Sequence, residues 1–419
     1  MEQDAVLAAA EDILTRRYGG SQKLTDATRL SGSGVAGVYR ARVTTNPFLQ
    51  HRTVVVKHSP ETGYSLEDAA FLREVVSYQF TTSLQSGIRP GPVMLGYDLD
   101  ARTIIISDSG NGGTLATLLE QADENQHIQI LRNLGTALGR MHAGTAGKEA
   151  QFEILFRRLT RESPGAEQVQ LLRDRLLAHR IRLGLEMLRQ AGVDVPNEVR
   201  VAAANIQNRL LRGGLRAFTP FDLSPDNVIQ TGEGLQFLDY EWAGFRDASF
   251  DVAFVVAGFP LYISPRPYNH VAAQACIDAW LREVRGTWPA LNTEDTLHAR
   301  ITGALIGWAL SSLSVLNTAA LAELVAADTE LAAEFQSAGV NVDVDIEADI
   351  EGDVEDAEPE APGDVLRPAS QGPFTPEEAV IRQDLRETFN ALAGYAGTGS
   401  DPAYLVIADF ARRVAGRLG

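Results

Sequence analysis

The sequence predicts an α+β fold with two lobes, a small β-rich lobe and a larger helical lobe, followed by a helical tail. Strand-like segments are concentrated in the first 110 residues, whereas apolar residues recur at helical spacing from Thr114 to about Ser337. An acidic segment then separates this helical region from two further helices. We therefore expect a β-rich N-lobe at 1–110, a helical C-lobe at 111–338, a linker at 339–373 and C-terminal helices at 374–419.

Two helices and three strands are predicted in the N-lobe. Glu2–Arg17 has apolar residues at helical spacing and ends at the pair Gly19-Gly20. Leu66–Leu84 is a second helical stretch. Alternation or β-branched runs predict strands in three segments, Val38–Val43, Thr53–Lys57 and Arg102–Ser107.

The rest of the chain is predicted to be helical with one β interruption. Apolar residues spaced by three and four mark three helices, in Ile128–His142, Val169–Gln190 and Ala299–Leu316. The β interruption covers Leu215–Asp239. In the tail, Thr375-Pro-Glu-Glu378 is a capping box that opens a helix to Gly394, and Asp401-Pro402 opens a last helix.

Composition excludes several classes of protein. The 419 residues are 45% hydrophobic and carry a formal net charge of −18, which argues against nucleic acid or an anionic membrane as the main partner. The N-terminus lacks the basic start and apolar core of a signal peptide, and no apolar stretch is long enough to span a bilayer. The single cysteine, Cys276, suits a reducing compartment, so we expect a cytoplasmic protein.

Much of the negative charge lies in one segment. Between Asp343 and Asp364 there are eleven acidic residues and no basic one, which leaves −7 of the −18 for the rest of the chain. With Pro359, Pro362 and Gly363, this segment has no face apolar enough to pack. We interpret it as a mobile, solvated linker; the alternative is a docking tail for a basic partner.

The segment Gly32-Ser-Gly34-Val-Ala-Gly37 fits the pattern G-x-G-x-x-G. A dinucleotide-binding loop would open a helix, but here the strand Val38–Val43 follows, so the glycines would join two strands. Such a hairpin can lie over nucleotide phosphates and offer them backbone N–H groups. An ordinary glycine-rich turn is the alternative.

Lys57 and Glu74 strengthen the phosphate-binding interpretation. Lys57 ends an apolar strand and is one of only three lysines in the chain. From the strand after the glycine segment, its ammonium can reach the same phosphates. Glu74 lies on the helix that follows and is expected to pair with Lys57 and orient it.

The most informative segment runs from Phe218 to Ala243. Two short strands joined by Thr231-Gly-Glu-Gly234 predict a hairpin, which brings Asn227 close to Asp239. An amide oxygen and a carboxylate at that separation can share one magnesium ion. Asp222 stays outside this pair and can face an incoming hydroxyl, the division of labour that phosphoryl transfer needs.

These motifs resemble the aminoglycoside phosphotransferase and choline kinase family, small-molecule kinases with a protein-kinase-like fold. The resemblance covers roughly Leu30 to Leu316, with its strongest matches in FDLSPDNVI and FLDYEWAGFRDASFDVA. It implies that Asp222 is the catalytic base. It also implies that Asn227 and Asp239 are magnesium ligands and that the Lys57–Glu74 pair binds phosphate.

The resemblance implies further roles and shows two departures. Glu241 is similar to an acid that contacts a second magnesium, and the backbone of an inter-lobe hinge, Ser107-Asp108-Ser109-Gly110, would bind adenine. Leu134–His142 matches a helical signature of the family that we interpret as structural. Family members usually have histidine two residues before the catalytic aspartate and glycine one before, where this chain has Pro220 and Phe221.

Two aspartates after the hairpin are assigned structural roles. Asp247 is expected to cap a helix and Asp251 to support the catalytic loop. Only residues 240–246 separate Asp239 from Asp247, which leaves no platform for a peptide substrate and disfavours a protein kinase.

The function that we predict is transfer of the γ-phosphate of Mg-ATP to a hydroxyl of a small molecule. A nucleotide-binding scaffold of the pseudokinase type is the alternative, and Pro220 is its only support. The sequence leaves open whether the donor is ATP or GTP, which molecule accepts the phosphate, and what the oligomeric state is.

Overall fold

The computed structural model describes residues 2–30, 36–44, 47–161, 165–262, 267–315, 325–341 and 365–419. The predicted α+β fold class is confirmed, with a five-stranded sheet near the N-terminus and mostly helices after it. Gly32 and Gly34 lie outside the described residues, as does the acidic segment from Asp343 to Asp364.

An antiparallel sheet in the order β1-β2-β3-β5-β4 forms the N-lobe. Its strands are β1 Leu24–Arg29, β2 Gly37–Val43, β3 Thr53–His58, β4 Met94–Asp98 and β5 Thr103–Ser107. The three predicted strands are confirmed as β2, β3 and β5. Sequence reasoning missed β1, an edge strand in which only Leu24 is buried, and β4, a short strand that contains Gly96.

Helices cover both faces of this sheet, because side chains alternate between faces along a strand. Helix α1 (Gln3–Tyr18) packs on the face that includes Ile105. Helix α2 (Ser65–Ser83) shares the core of the opposite face, which includes Ile104 and Ile106. Both helices agree with the prediction to within two residues.

The C-lobe is built from helices around one continuous apolar core. Its helices are α3 Leu115–Gln121, α4 Glu124–Thr145, α5 Glu149–Thr160, α6 Ala166–Gln190, α7 Asn197–Arg212, α8 Ser249–Val256, α9 His270–Val284, α10 Glu294–Val315 and α11 Thr329–Ala338. Helices α4 and α9 pack closely because Gly135 has no side chain: a Cβ there would lie 2.2 Å from the carbonyl oxygen of Cys276.

Four short strands interrupt the helical region, as β6 Arg216–Thr219, β7 Val228–Thr231, β8 Gly234–Phe237 and β9 Gly244–Asp247. Strands β7 and β8 form the predicted hairpin, whereas β6 pairs with β9. The interruption is longer than expected, because β9 follows the predicted end at Asp239 and helix α8 begins only at Ser249.

The C-terminal helices are α12 Pro376–Ala396 and α13 Pro402–Leu418. The capping box is confirmed, since Thr375 Oγ1 accepts a hydrogen bond from Glu378 N and the Glu378 carboxylate accepts one from Thr375 N. Helix α12 packs on α13 and on α10, so the tail is attached to the C-lobe. Residues 365–373, from the range expected to be linker, include the buried side chains of Val365 and Leu366.

Within the described residues, no helix combines the length and the apolar composition that crossing a membrane requires.

A carboxylate from the tail is buried against the C-lobe. Asp384, on α12, is 3% exposed, and its Oδ2 accepts a hydrogen bond of 3.2 Å from the backbone N–H of Leu261. Burial raises the pKa of Asp384 to about 7, although this hydrogen bond opposes the shift. The folded protein therefore holds Asp384 protonated at acidic pH, whereas an aspartate in the unfolded chain has a pKa of about 3.9.

We expect Asp384→Asn to remove a pH dependence of stability. As pH rises from about 4 to 7, the unfolded chain releases a proton that the folded protein still holds, so the wild-type free energy of unfolding falls. At pH 8 the variant should be more stable than wild type by about 1–3 kcal/mol, and at pH 4.5 the difference should nearly vanish.

Urea denaturation at both pH values, followed by tryptophan fluorescence, measures this difference. Asp409→Asn, at an exposed position of α13, is the matched control and should keep the wild-type pH profile. An unchanged pH profile in Asp384→Asn would contradict the assignment.

Candidate active site

The ammonium of Lys57 joins the two lobes. Its Nζ lies 3.0 Å from Oε1 of Glu74 on α2 and 2.8 Å from Oδ1 of Asp239, which follows strand β8. The predicted pairing with Glu74 is confirmed. The contact with Asp239, 182 residues away in the chain, was not predicted.

The charges of this group are strongly coupled. Burial disfavours the charge on Lys57, but the carboxylates of Asp239 and Glu74 outweigh it and hold the pKa of Lys57 well above its usual range. Burial raises the pKa of Glu74 to about 7 in spite of the nearby ammonium. Burial and the charge of Asp239 together raise the pKa of Glu241 to about 8. Acidic side chains thus lie around one lysine, and burial favours the neutral form of two of them, Glu74 and Glu241.

Asn227 and Asp239 lie at adjacent ends of the β7–β8 hairpin, as predicted. Val228 pairs with Phe237, and the N–H of Leu238 donates to the carbonyl oxygen of Asn227 at 2.8 Å. After the hairpin the chain turns sharply, since Asp239 has a φ of 54°. The hydroxyl of Tyr78, on α2, accepts a hydrogen bond of 3.3 Å from the N–H of Asp239 and supports this turn.

The carboxylate of Asp222 is held by its own loop. Oδ1 accepts hydrogen bonds from the N–H of Ser224 at 2.9 Å and from its hydroxyl at 2.6 Å. Oδ2 accepts one from Nδ2 of Asn227 at 2.9 Å. A 3₁₀ turn over Pro225–Asn227 brings these side chains together. Since the amide nitrogen of Asn227 binds Asp222, its amide oxygen remains as an acceptor.

The donor set fits a hard cation. The side chains predicted to bind magnesium, Asn227, Asp239 and Glu241, supply only oxygen atoms, which Mg²⁺ prefers. In the part of the chain that the structure describes, no three His, Cys, Asp or Glu side chains gather as a metal-binding group. The predicted arrangement needs only one or two protein oxygens, with phosphate oxygens and water for the rest.

The predicted hinge connects the lobes through its side chains. Ser107 ends β5, and its Oγ accepts a hydrogen bond from the N–H of Val93 at 2.9 Å. Asp108 pairs with Arg40 of β2 at 2.9 Å, and the hydroxyl of Ser109 donates to Gln236 of β8 at 2.7 Å. Gly37 begins β2.

A buried histidine holds Asp251, whose carboxylate interacts with the backbone N–H of Phe221, the residue before Asp222. Nε1 of Trp280 donates to Nδ1 of His142 at 2.9 Å, and Nε2 of His142 lies 3.1 Å from Oδ2 of Asp251. An indole nitrogen only donates, so Nδ1 of His142 accepts and Nε2 carries the proton that is shared with Asp251. All three side chains are buried completely. This geometry agrees with the structural roles predicted for His142 and Asp251.

Asp247 lies one residue before the N-cap of α8, Ala248, so the predicted cap is displaced by one residue, but its carboxylate still contacts the first turn. Its Oδ1 accepts hydrogen bonds from the N–H and the hydroxyl of Ser249, at 3.0 and 2.6 Å, at the start of α8. Its Oδ2 pairs with Arg209 of α7 at 3.1 Å. Asp247 therefore fixes the beginning of the helix that carries Asp251.

Sequence reasoning missed an ionic network beside the site. Asp174, on α6, accepts hydrogen bonds from Arg73 at 2.9 Å and from Arg246 at 2.6 Å. Burial works against its charge, but the two guanidinium groups outweigh burial and lower the pKa of Asp174 to about 2. Arg73 directly precedes Glu74, so one carboxylate ties α2 to strand β9. No local pattern marks these three residues, which lie far apart in the chain.

Sequence comparison assigns the chain to a family. A sequence model of the phosphotransferase enzyme family matches residues 44–288, more than half of the chain. The chain belongs to the phosphotransferase enzyme family. The matched range contains Lys57, Glu74, Asp222, Asn227 and Asp239. It ends before α10 and the C-terminal helices. No curated protein is similar enough in sequence to match this phosphotransferase.

Several solved structures match this phosphotransferase at low sequence identity. A choline kinase from Cryptosporidium parvum is 10% identical, with 84% of this chain and 95% of that chain covered and a TM-score of 0.44. An ethanolamine kinase from Plasmodium vivax is 12% identical, with coverages of 78% and 83% and a TM-score of 0.43. An aminoglycoside phosphotransferase with ADP bound is 12% identical, with coverages of 74% and 99% and a TM-score of 0.39. At these values, the likenesses carry no argument about the substrate.

We expect His142→Leu to destabilise this phosphotransferase strongly. The substitution leaves the Asp251 carboxylate and the Trp280 N–H buried without their partner, and breaking a buried pair in this way costs about 3–5 kcal/mol. The thermal unfolding midpoint, followed by circular dichroism, should fall by several degrees.

Trp280→Phe is the matched control for His142→Leu. It removes one hydrogen bond and leaves a small cavity but keeps His142 paired with Asp251, so a smaller loss of about 1–3 kcal/mol is expected. Equal losses in the two variants would contradict the paired arrangement.

Proposed function

We propose that this phosphotransferase moves the γ-phosphate of ATP, with Mg²⁺, to a hydroxyl group of a small molecule. The contact between Lys57 and Asp239 carries the proposal, because it joins a phosphate-binding pair from the N-lobe to the hairpin of the C-lobe. The loop that leads into this hairpin holds Asp222 beside Asn227. Membership of the phosphotransferase enzyme family supports phosphoryl transfer as the reaction class. GTP is an alternative to ATP.

Asp222 is proposed as the group that accepts the proton of the acceptor hydroxyl. Its two oxygens already accept hydrogen bonds from Ser224 and Asn227, which hold the carboxylate in one orientation. As the hydroxyl oxygen bonds to the γ-phosphorus and the bond to the β-phosphate oxygen breaks, the hydroxyl proton passes to Asp222 and ADP leaves. Positioning and charge stabilisation supply most of the rate in such a transfer.

The remaining side chains would bind the nucleotide. Lys57, oriented by Glu74, would contact phosphate oxygens. The Asn227 amide oxygen and Asp239, with Glu241 nearby, would hold magnesium. When bound, the metal ion offsets the negative charge of the phosphates. The hinge backbone at Ser107–Ser109 would contact the base.

The two alternatives are weaker. The residues between Asp239 and α8 form β9, which pairs with β6, so this interval offers no room for the peptide platform of a protein kinase. Pro220 supports a nucleotide-binding scaffold, but every side chain that the chemistry requires is present. The single cysteine, Cys276, is buried and free. A chain with one cysteine suits a reducing compartment, so we propose the cytoplasm as its location.

Asp222→Asn should slow transfer strongly while nucleotide binding persists. Because an amide cannot accept the proton, turnover should fall by about 10²–10⁴-fold. ADP release is measured with a panel of hydroxylated metabolites and antibiotics, first on the wild type. If no acceptor stimulates wild-type turnover and the variant binds nucleotide normally, the scaffold alternative is favoured.

Asp239→Ala should remove the magnesium dependence of nucleotide binding. In wild type, a non-hydrolysable ATP analogue should raise the melting temperature more with Mg²⁺ than with EDTA, because ligand binding to the folded state stabilises it. In the variant the two conditions should give the same shift.

Glu233→Ala is the matched control for Asp239→Ala, since it removes an exposed carboxylate from the turn of the same hairpin. It should respond to Mg²⁺ like wild type. A magnesium response that survives in Asp239→Ala would overturn the ligand assignment.

A further inference from the structure

The residue before Asp222 has an unfavourable backbone conformation. Phe221 has a φ of 69°, in the left-handed region that bulky residues rarely adopt. Such a conformation persists only where the surrounding structure enforces it, and it is concentrated at functional sites. Contacts with the surrounding residues must therefore stabilise this conformation of Phe221.

The ring of Phe221 is enclosed from several sides. It is 7% exposed and lies 5.0 Å from the ring of Trp308 and 6.1 Å from the ring of Phe250, between ring centroids. The guanidinium carbon of Arg246 lies 4.8 Å from the centre of the ring. Aromatic stacking and a cation–π contact of this kind are both favourable.

The groups around the ring are themselves fixed. Nε1 of Trp308 donates to the carbonyl oxygen of Phe250 at 2.8 Å. Arg246 donates to Asp174 at 2.6 Å and to the carbonyl oxygen of Trp242 at 2.5 Å. Asp174 also binds Arg73, the residue before Glu74. The position of the Phe221 ring is thus defined relative to both α10 and α2.

Pro220 makes the backbone before Phe221 rigid as well. Proline has its φ locked near −65° and offers no side-chain hydrogen bond. Pro220 is buried and follows β6 directly. The two residues before Asp222 therefore have only apolar side chains with which to hold the loop.

We propose that Phe221 is a positioning residue, whose ring, held by Trp308, Phe250 and Arg246, fixes the Asp222 carboxylate for the acceptor hydroxyl. Its effect on catalysis rests on the proposed phosphotransferase function. The ring acts on Asp222 through the backbone, because Phe221 directly precedes Asp222 in the chain. A glycine could adopt the same φ without strain but would leave the loop unanchored.

Phe221→Gly and Phe221→Leu separate the ring from the backbone shape. Glycine keeps the left-handed conformation and removes the ring, whereas leucine keeps an apolar side chain without the aromatic and cation–π contacts. We expect kcat to fall at least about tenfold in both, as a displaced catalytic group would cause, with the KM for ATP nearly unchanged. Full kcat in Phe221→Gly would show that backbone shape alone suffices and would overturn the proposal.

Phe254→Leu is the matched control for loss of packing. Phe254, on α8, is buried and lies 4.8 Å from the same Trp308 ring, but it is outside the loop. It should lose stability comparably to Phe221→Leu and keep kcat within about twofold of wild type. Equal losses of kcat in the two leucine variants would assign Phe221 a merely structural role.

Hydrogen exchange gives a readout that does not depend on turnover. The N–H of Ser224 is bonded to Asp222 and the N–H of Asn227 to the carbonyl oxygen of Ser224. Exchange in residues 222–227 should be at least about tenfold faster in both Phe221 variants and unchanged in Phe254→Leu. Wild-type exchange rates in the Phe221 variants would refute the proposal, whereas a wild type without turnover would refute only the proposed function.

Discussion

The cost of burying a lysine charge constrains the whole site. The Lys57 side chain is 16% exposed, and an ammonium removed from water in this way requires carboxylates around it. Glu74 comes from the N-lobe and Asp239 from the hairpin of the C-lobe, so the charge is balanced only when both lobes are in place. This requirement makes the two halves of the proposed site depend on each other.

The loop that carries Asp222 is held in a different way from the one that the family resemblance implies. Pro220 stands where a histidine is usual, and Phe221 stands where a glycine is usual. The histidine of this chain that does support the region, His142, comes from α4 and acts through Asp251. Apolar packing of Phe221 and ionic contacts of Arg246 with Asp174 then surround the loop. The polar anchor expected in sequence near Asp222 is thus replaced by contacts from distant elements.

The C-terminal helices extend the molecule beyond the region that defines the family. The matched range ends at residue 288, whereas α12 packs on α10, the helix that carries Trp308. Asp384 adds a polar contact by accepting a hydrogen bond from Leu261, which follows α8. Leu261 and Phe259 both have left-handed φ values, of 71° and 63°, so the tail supports a strained turn next to the helix that holds Asp251.

Local patterns in the chain are enough to predict the fold class, the hairpin, the helix caps of the tail and the pairing of Lys57 with Glu74. These features follow from periodicity, turn residues and spacing, which are local properties of the chain. Three further contacts become visible only in the folded molecule: Lys57 with Asp239, Asp174 with both Arg73 and Arg246, and Phe221 with Trp308. Each of these contacts joins residues dozens to nearly two hundred positions apart. Their geometry arises when lobes and helices pack, and no local pattern in the sequence encodes it.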